Sequence, residues 1–287
     1  MKTVDDDLRD LERRAKLGEP GAREAFRAAR ERAGLPGLAV LSCIHGNLEA
    51  LEAVLADIDR LGIPDIVCLG DLTGYGPDPV ECTDLVRERC RITLLGNHDE
   101  VLDKGAEAFP AFAKQVLEWT RGLLRPGWLA SRRDEERWRF LMDLPLRHEE
   151  GGRLFVHGSP LDETCDFLLP HDFGIGVTER TTKLLGSFEK LLFIGHTHIP
   201  GLSTDEPAYR TIDELGGRWS YPGHGKAIIN VGSVGQPRDR DPRACYVAVT
   251  GDSFEWRRVP YAFEVTREKI VRAGLPVRCG DRLREGV

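Results

Sequence analysis

Five short apolar runs in this 287-residue chain each stop at residues able to hold a metal ion. Ser42-Cys43-Ile44-His45-Gly46-Asn47 follows the first run and Gly70-Asp71 the second. Gly96-Asn97-His98-Asp99 follows the third, and His157-Gly158 and Gly195-His196-Thr197-His198 follow two later ones. Imidazole, carboxylate and amide oxygen are suitable donors for Zn, Fe or Mn. For one such histidine, packing explains its presence as well as ligation does. Five run ends in a row make packing a poor account of the set. The glycines beside them let the backbone turn sharply and approach a ligand closely. His196 and His198 lie two apart, so an extended segment directs them to one side and a bend directs them to two different ions. The spacing therefore permits a two-metal site.

Other chemistry is excluded by the same kind of reading. No cysteine is followed at the sixth position by arginine, against a cysteine-nucleophile phosphatase loop. Pro222-Gly223-His224-Gly225-Lys226 has Ser220 and Ala227 where a phosphate-binding loop needs Gly and Ser/Thr. Gly232-Ser233-Val234-Gly235 is not the GxSxG of a serine hydrolase.

The elements that position these residues follow from periodicity. LAVLSC, DIVCLG and RITLLG read as buried strands, and NLEALEAVLADIDRLG and DPVECTDLVRERC between them as helices. That alternation implies a βαβ sheet core. In open α/β sheets, ligands bind outside the carboxyl ends of the strands, where the marked residues fall. RLFVHG and KLLFIGH read as two further strands. AIINVG, ACYVAVTG and SFEWRRV read as antiparallel strands, and PYAFEVTREKIVRAG as strand passing into helix. Residues 1–36 read as a helical appendage of two short helices, residues 37–287 as the main domain, and about 100–146 as a helical cap or flank.

Bulk properties narrow the setting. A formal charge of −7 gives no general attraction to nucleic acid or anionic membrane, so an anionic substrate needs a local positive centre. No apolar run is long enough to span a bilayer, and the acidic N-terminus lacks a secretory signal. Seven cysteines without CxxC pairs suit a reduced cytoplasm. Homo-oligomer formation stays open.

The ordered blocks CIH at 43–45, GD at 70–71, GNHD at 96–99, HG at 157–158 and GHTH at 195–198 resemble the calcineurin-like metallophosphoesterases, in particular the small bacterial YfcE-like branch. HGNLEALEAVL, GDLTGYGPDPVEC, LLFIGHTHIPG and INVGSVGQPRDRDPRACY resemble that branch as well, so the likeness runs from about residue 38 to the end. It implies an α/β fold of four layers, an αββα sandwich of two mixed sheets flanked by helices, with metals at the C-terminal ends of strands. It implies a phosphatase or phosphodiesterase whose substrate is a small phosphate ester, such as a nucleotide. One metal would take His45, Asp71, His198 and the residue at position 43. The other would take Asn97, His157 and His196, with Asp71 bridging both ions. Two such cations lower the pKa of a bridging water and neutralise charge on phosphoryl oxygens. His98 would protonate the leaving group or hydrogen-bond the phosphoryl group, with Asn97 also touching substrate. Asp99 is a candidate to orient His98. Arg238 and Arg243 are candidates to contact phosphate or are ordinary loop arginines. The GDxVDRG block of Ser/Thr protein phosphatases is absent.

One position departs from the pattern. Cys43 stands where the family has the aspartate of DxH. Three readings follow: a thiolate ligand favouring Zn or Fe over Mn and Mg, a buried bystander beside a weakened site, or a degenerate site in a non-catalytic binding scaffold like the retromer subunit of this fold.

Overall fold

The computed structural model describes residues 4–174, 178–205 and 208–287, so the first three residues of the expected appendage lie outside the described residues. The chain opens with α1 (Val4–Lys16) and α2 (Ala22–Arg32). Phe26 of α2 is buried, and the Arg27 guanidinium donates to Asp65 and Glu150, at 3.3 and 3.1 Å. Arg30 donates to the carbonyls of Pro36 and Leu61.

Strands β1 (Leu38–Leu41), β2 (Asp65–Cys68) and β3 (Ile92–Thr93) pair in parallel, with α3 (Leu48–Leu61) and α4 (Pro79–Arg89) as crossovers. Helix α3 starts because the Asn47 side chain accepts from the Ala50 amide, at 3.2 Å. It stops at Gly62, whose φ of 66° needs a residue without Cβ. Pro79 presets the first turn of α4. Asp65 opens β2 and Asp71 lies beyond its far end, so α2 fastens at the opposite end of the sheet from the candidate ligands.

Helices α5 (Asn97–Lys104), α6 (Ala111–Leu124) and α7 (Arg132–Met142) follow. Next come β4 (Arg147–Glu150), β5 (Arg153–Val156), α8 (Pro170–Gly174), α9 (Glu179–Gly186), β6 (Leu191–Ile194), β7 (Gly201–Thr204), β8 (Tyr209–Thr211), β9 (Arg218–Ser220) and β10 (Ala227–Asn230). The last elements are β11 (Ala244–Thr250), β12 (Ser253–Val259), α10 (Phe263–Arg272) and α11 (Val277–Glu285). One six-stranded sheet runs β3-β2-β1-β11-β12-β9 and the other β4-β5-β6-β10-β7-β8. Both are mixed, as expected from the sequence.

Strand alternation distributes the core among the layers. Leu38 and Val40 face the space between the sheets and meet Phe155, Phe193 and Ile229, while Ala39 and Leu41 face outward onto α3. In β6, Leu192 and Ile194 face the outer layer beside Phe173 and Leu184. A further cluster joins Val116 of α6 to Ile270, Cys279 and Leu283 of α10 and α11, with Tyr75 and Phe112 at its edge.

Two expectations fail. AIINVG is not antiparallel to the strands after it: β10 pairs in parallel with β6, Ala227 opposite Leu191, and antiparallel with β7. It is buried on both faces as a central strand, and the chain then crosses to the other sheet, where β11 pairs with β1. Residues 260–262 form no strand. Phe263, Thr266 and Ile270 recur at helical spacing, and Thr266 donates to Asn47 and Glu49, so the segment enters α10 directly.

Candidate metal centre

The loops after β1, β2, β3, β5 and β6 converge at one end of the sandwich. The Cys43 amide donates to Gly70 at 3.0 Å, and the Ile44 and His45 amides both donate to the Asp71 carbonyl. The Cys43 carbonyl accepts from the Ser233 hydroxyl and the Gly235 amide, each at 2.9 Å. Cys43, His45, Asp71, His196 and His198 all have φ between 52° and 63°. Left-handed backbone at non-glycine residues costs about 1–3 kcal/mol each and concentrates where function over-determines the geometry. Gly96 is required beside them: a Cβ there would stand 2.2 Å from Asp71 Oδ1.

Two donor groups result. Cys43, His45, Asp71 and His198 each place a ligand atom within 4.8 Å of the others, and so do Asp71, His157 and His196. Asp71 belongs to both. Its Oδ1 accepts from the His98 amide at 2.8 Å. Its Oδ2 lies 3.5 Å from His45 Nε2 and 3.3 Å from His157 Nε2. One carboxylate oxygen is thus fixed by the chain and the other is presented to both groups.

The tautomers follow from the carbonyl partners, because a carbonyl only accepts. His45 Nδ1 donates to Thr73, His157 Nδ1 to Leu69 and His198 Nδ1 to Gln236. His45 and His198 therefore turn an Nε2 lone pair inward, while His157 points Nε2 at Asp71, which, although burial opposes it, raises the His157 imidazole value. His45 Nε2 and His198 Nε2 face each other at 3.1 Å, and His157 Nε2 lies 3.0 Å from His196 Nδ1. Burial holds His45 and His198 well below the ordinary imidazole value, so no proton bridges that pair. Asn97 Oδ1 and His196 Nε2 are buried without a partner. Lone pairs converging without a proton, together with an orphaned amide oxygen, fit a centre built for cations.

Burial opposes a low value at Asp71, yet His157, His98 and His45 together hold its carboxyl well below the carboxylate range. Burial lowers His98 to about 4 and His196 to about 3. The Cys43 thiol is pushed far up, by burial first and then by the charge of Asp71. Only a cation close to the sulfur reverses that preference.

Asp99 does not reach the His98 ring. Its carboxylate accepts from the Leu72 and Thr73 amides and from the Thr73 hydroxyl, all at 3.0–3.1 Å. It fixes the loop after Asp71, and burial with the nearby Asp71 charge raises its carboxyl to about 7. His98 is placed instead by rings: Tyr75 at 4.6 Å, His45 at 4.7 Å and Phe109 at 5.0 Å between centroids. Arg238 donates to Gln236 Oε1 and stands 5.9 Å over the Tyr75 ring. Arg243 is engaged by Asp241 on the surface.

A cavity of about 380 Å³ elsewhere is bounded by Glu149–Leu154 and the turn after α9, far from this chemistry. The relevant one, about 320 Å³, is lined by Asn97, His98, His196, Arg238, Tyr75 and Phe167 among others. Tyr75 and Phe167 carried no signal of chemistry in the sequence, because an aromatic in a loop reads equally as packing.

A family model described as the calcineurin-like phosphoesterase superfamily domain matches residues 37–253. An uncharacterized protein of Methanocaldococcus jannaschii is 36% identical over 255 residues, which cover 86% of this chain and 96% of that protein. The crystal structure of a metallophosphoesterase from Sphaerobacter thermophilus is 32% identical with a TM-score of 0.72, covering 87% of this chain and 98% of that one. A hypothetical protein from Pyrococcus horikoshii shares the fold, with a TM-score of 0.66, 21% identity and coverage of 87% and 98%.

Proposed function

The chain belongs to the calcineurin-like phosphoesterase superfamily, and we propose that it hydrolyses small phosphate esters, mono- or diesters, at two metal ions that share Asp71. The observation carrying this reading is the His45 Nε2–His198 Nε2 contact at 3.1 Å beside the doubly presented Asp71 Oδ2. Cys43, His45, Asp71 and His198 would hold one ion, and Asp71, Asn97, His157 and His196 the other. The sulfur donor favours zinc or iron over manganese at the first. When bound, the two ions would activate the attacking water and neutralise charge on the phosphoryl oxygens.

The chain's own residues do the rest. Asp71 is held by the His98 amide so that its free oxygen keeps one orientation. Asn97 and His98 line the cavity, where the amide would bind the phosphoryl group and the imidazole would hydrogen-bond it or protonate the leaving oxygen. Arg238, which lines the same cavity, would grip a phosphate oxygen. Seven unpaired cysteines support a reducing, cytoplasmic setting, and among the described residues no helix is long and apolar enough to cross a membrane.

Elemental analysis of purified protein, run beside a panel of p-nitrophenyl mono- and diesters, tests the reading. Two metal equivalents with turnover of at least one ester class are expected. Full metal occupancy without turnover of any ester would leave a binding scaffold as the better account.

A further inference from the structure

Helix α11 brings positive charge to the rim of this site. Arg238 lies over the Tyr75 ring, Tyr75 stacks on Phe112 at 6.3 Å, and the Arg278 guanidinium covers Phe112 at 4.8 Å. Two guanidiniums thus adjoin an aromatic pair, and the Tyr75 ring is 4.6 Å from His98. Arg282, one turn after Arg278, is half-buried. Its Nε donates to the Val287 backbone oxygen, and it lies near enough to Arg238 and Arg278 for their charge to act on it.

Arg238 and Arg278 differ from most arginines here. Arg257, Arg258 and Arg243 are each paired with a carboxylate. Among the described residues neither Arg238 nor Arg278 has a carboxylate within 4.0 Å. Asp281, next to Arg282, is engaged by Arg267 at 2.7 Å. In a chain of net charge −7, Arg238 at the cavity and Arg278 on α11, both without a carboxylate partner, mark a place for an anion. Among the described residues no hydrogen bond engages the Arg278 guanidinium, whereas Arg238 spends Nε and one terminal nitrogen on Gln236 Oε1 and keeps its other terminal nitrogen for a phosphate oxygen.

We propose that Arg238, Arg278 and Arg282 form a second anion subsite that takes the distal phosphate of a substrate bearing two phosphates at opposite ends of a sugar-sized linker. This rests on the phosphoesterase reading, which places the scissile phosphate at Asn97 and His98. Arg238 lines that cavity and also begins the aromatic bridge to α11, so it serves both phosphates. Phe112 does not line the cavity that Tyr75 and His98 line, so a phosphate held at Arg278 would sit beyond the Tyr75 ring, apart from the scissile one. Sugar bisphosphates and nucleoside 3′,5′-bisphosphates share the required chemistry.

The test compares fructose 1,6-bisphosphate, adenosine 3′,5′-bisphosphate, the matching monophosphates and ADP, on the metal-loaded protein. One of the two bisphosphates is expected to show a KM about tenfold below its monophosphate and, for the nucleoside, below ADP. Arg278→Gln and Arg282→Gln together should remove that advantage and leave the monophosphate KM within about twofold. Arg284→Gln, an exposed control on the same helix, should change neither. Calorimetric binding to the slowed His98→Ala variant reads the subsite without turnover. If no ester is hydrolysed but bisphosphates still bind more tightly through α11, the hydrolytic reading fails and the subsite stands. Equal binding of bisphosphate and monophosphate would overturn the proposal, as would an equal loss in the Arg284→Gln control. Should the double variant unfold, exposed Arg278→Gln alone carries the comparison.

Discussion

His45 and His198 meet nitrogen to nitrogen at 3.1 Å, each with its other ring nitrogen donating to a backbone carbonyl. Rotating either ring would break a buried hydrogen bond, at a cost of about 1–3 kcal/mol, so the contact is held by its surroundings. A cation between the lone pairs removes the repulsion. Metal removal should therefore lower the thermal midpoint, and adding zinc should restore it. At free metal 100 times Kd the stabilisation is about 2.7 kcal/mol. Scanning calorimetry on chelated and reloaded protein checks this, and equal midpoints with metal content verified would show that the pair does not hold an ion.

His98 and His157 should separate in kind. Replacing His98 with alanine should slow ester hydrolysis by roughly 10²–10⁴ with metal content unchanged, since its ring faces the cavity. His157→Ala should instead lose metal, because its Nε2 belongs to the second donor group. Elemental analysis alongside kinetics distinguishes the two. Metal loss in His98→Ala would mean the roles are exchanged.

How much of this could be read from residue order depends on what each residue touches. The parallel strands and the convergence of the candidate ligands were legible because apolar runs ending in His, Asp or Asn leave a pattern in sequence. The sheet assignment of β10 was not, since two consecutive strands look alike whether or not the chain crosses between sheets. Strands β8 and β9 are three residues each and half-exposed, too short to show alternation. Asp99 beside His98 suggested an orienting pair. In α5 the carboxylate turns back instead to the amides of Leu72 and Thr73, and neighbours in sequence on a helix do not face each other. Arg278 and Arg282 sit in a segment that carries no motif, and only the packing of α11 beside Tyr75 and Phe112 gives them a place.

Asp57 offers a test away from the metals. It accepts from Tyr246 at 2.7 Å and from Arg257 at 2.6 Å, tying α3 to β11 and β12. Although burial opposes it, these partners and Arg60 lower its carboxyl to about 2 from 3.8. A depressed folded value contributes stability above the unfolded value, and that contribution is lost as pH falls from about 4 towards 2. Asp57→Asn should therefore lose roughly 1–3 kcal/mol at pH 7. The gap to the native protein should narrow below pH 4. Urea unfolding of both proteins at several pH values measures it. A gap that stays constant down to pH 2.5 would rule out the depressed carboxylate.

Cys43 carries the last prediction. Its sulfur sits within 4.8 Å of donor atoms from His45, Asp71 and His198, in a loop held by Ser233, Gly235 and Gly70. Without a cation the thiol stays protonated, because burial and Asp71 both oppose the thiolate. Zinc or iron would deprotonate it and restore the anionic donor that an aspartate supplies in the family pattern. The zinc–sulfur bond, about 2.3 Å against about 2.0–2.2 Å for a carboxylate oxygen, needs only a small shift of the loop. Cys43→Asp should fold and move the metal preference towards manganese. Cys43→Ser should weaken the first site while leaving the second loaded. Oxidant treatment of the chelated protein should reduce the activity recovered on reloading more than the same treatment of the loaded protein does, since coordination shields the sulfur. Competition between zinc and manganese, read by elemental analysis, checks the order. Identical preference in the native protein, Cys43→Asp and Cys43→Ser would reduce Cys43 to a buried bystander, and the first ion would then rest on His45, Asp71 and His198 alone.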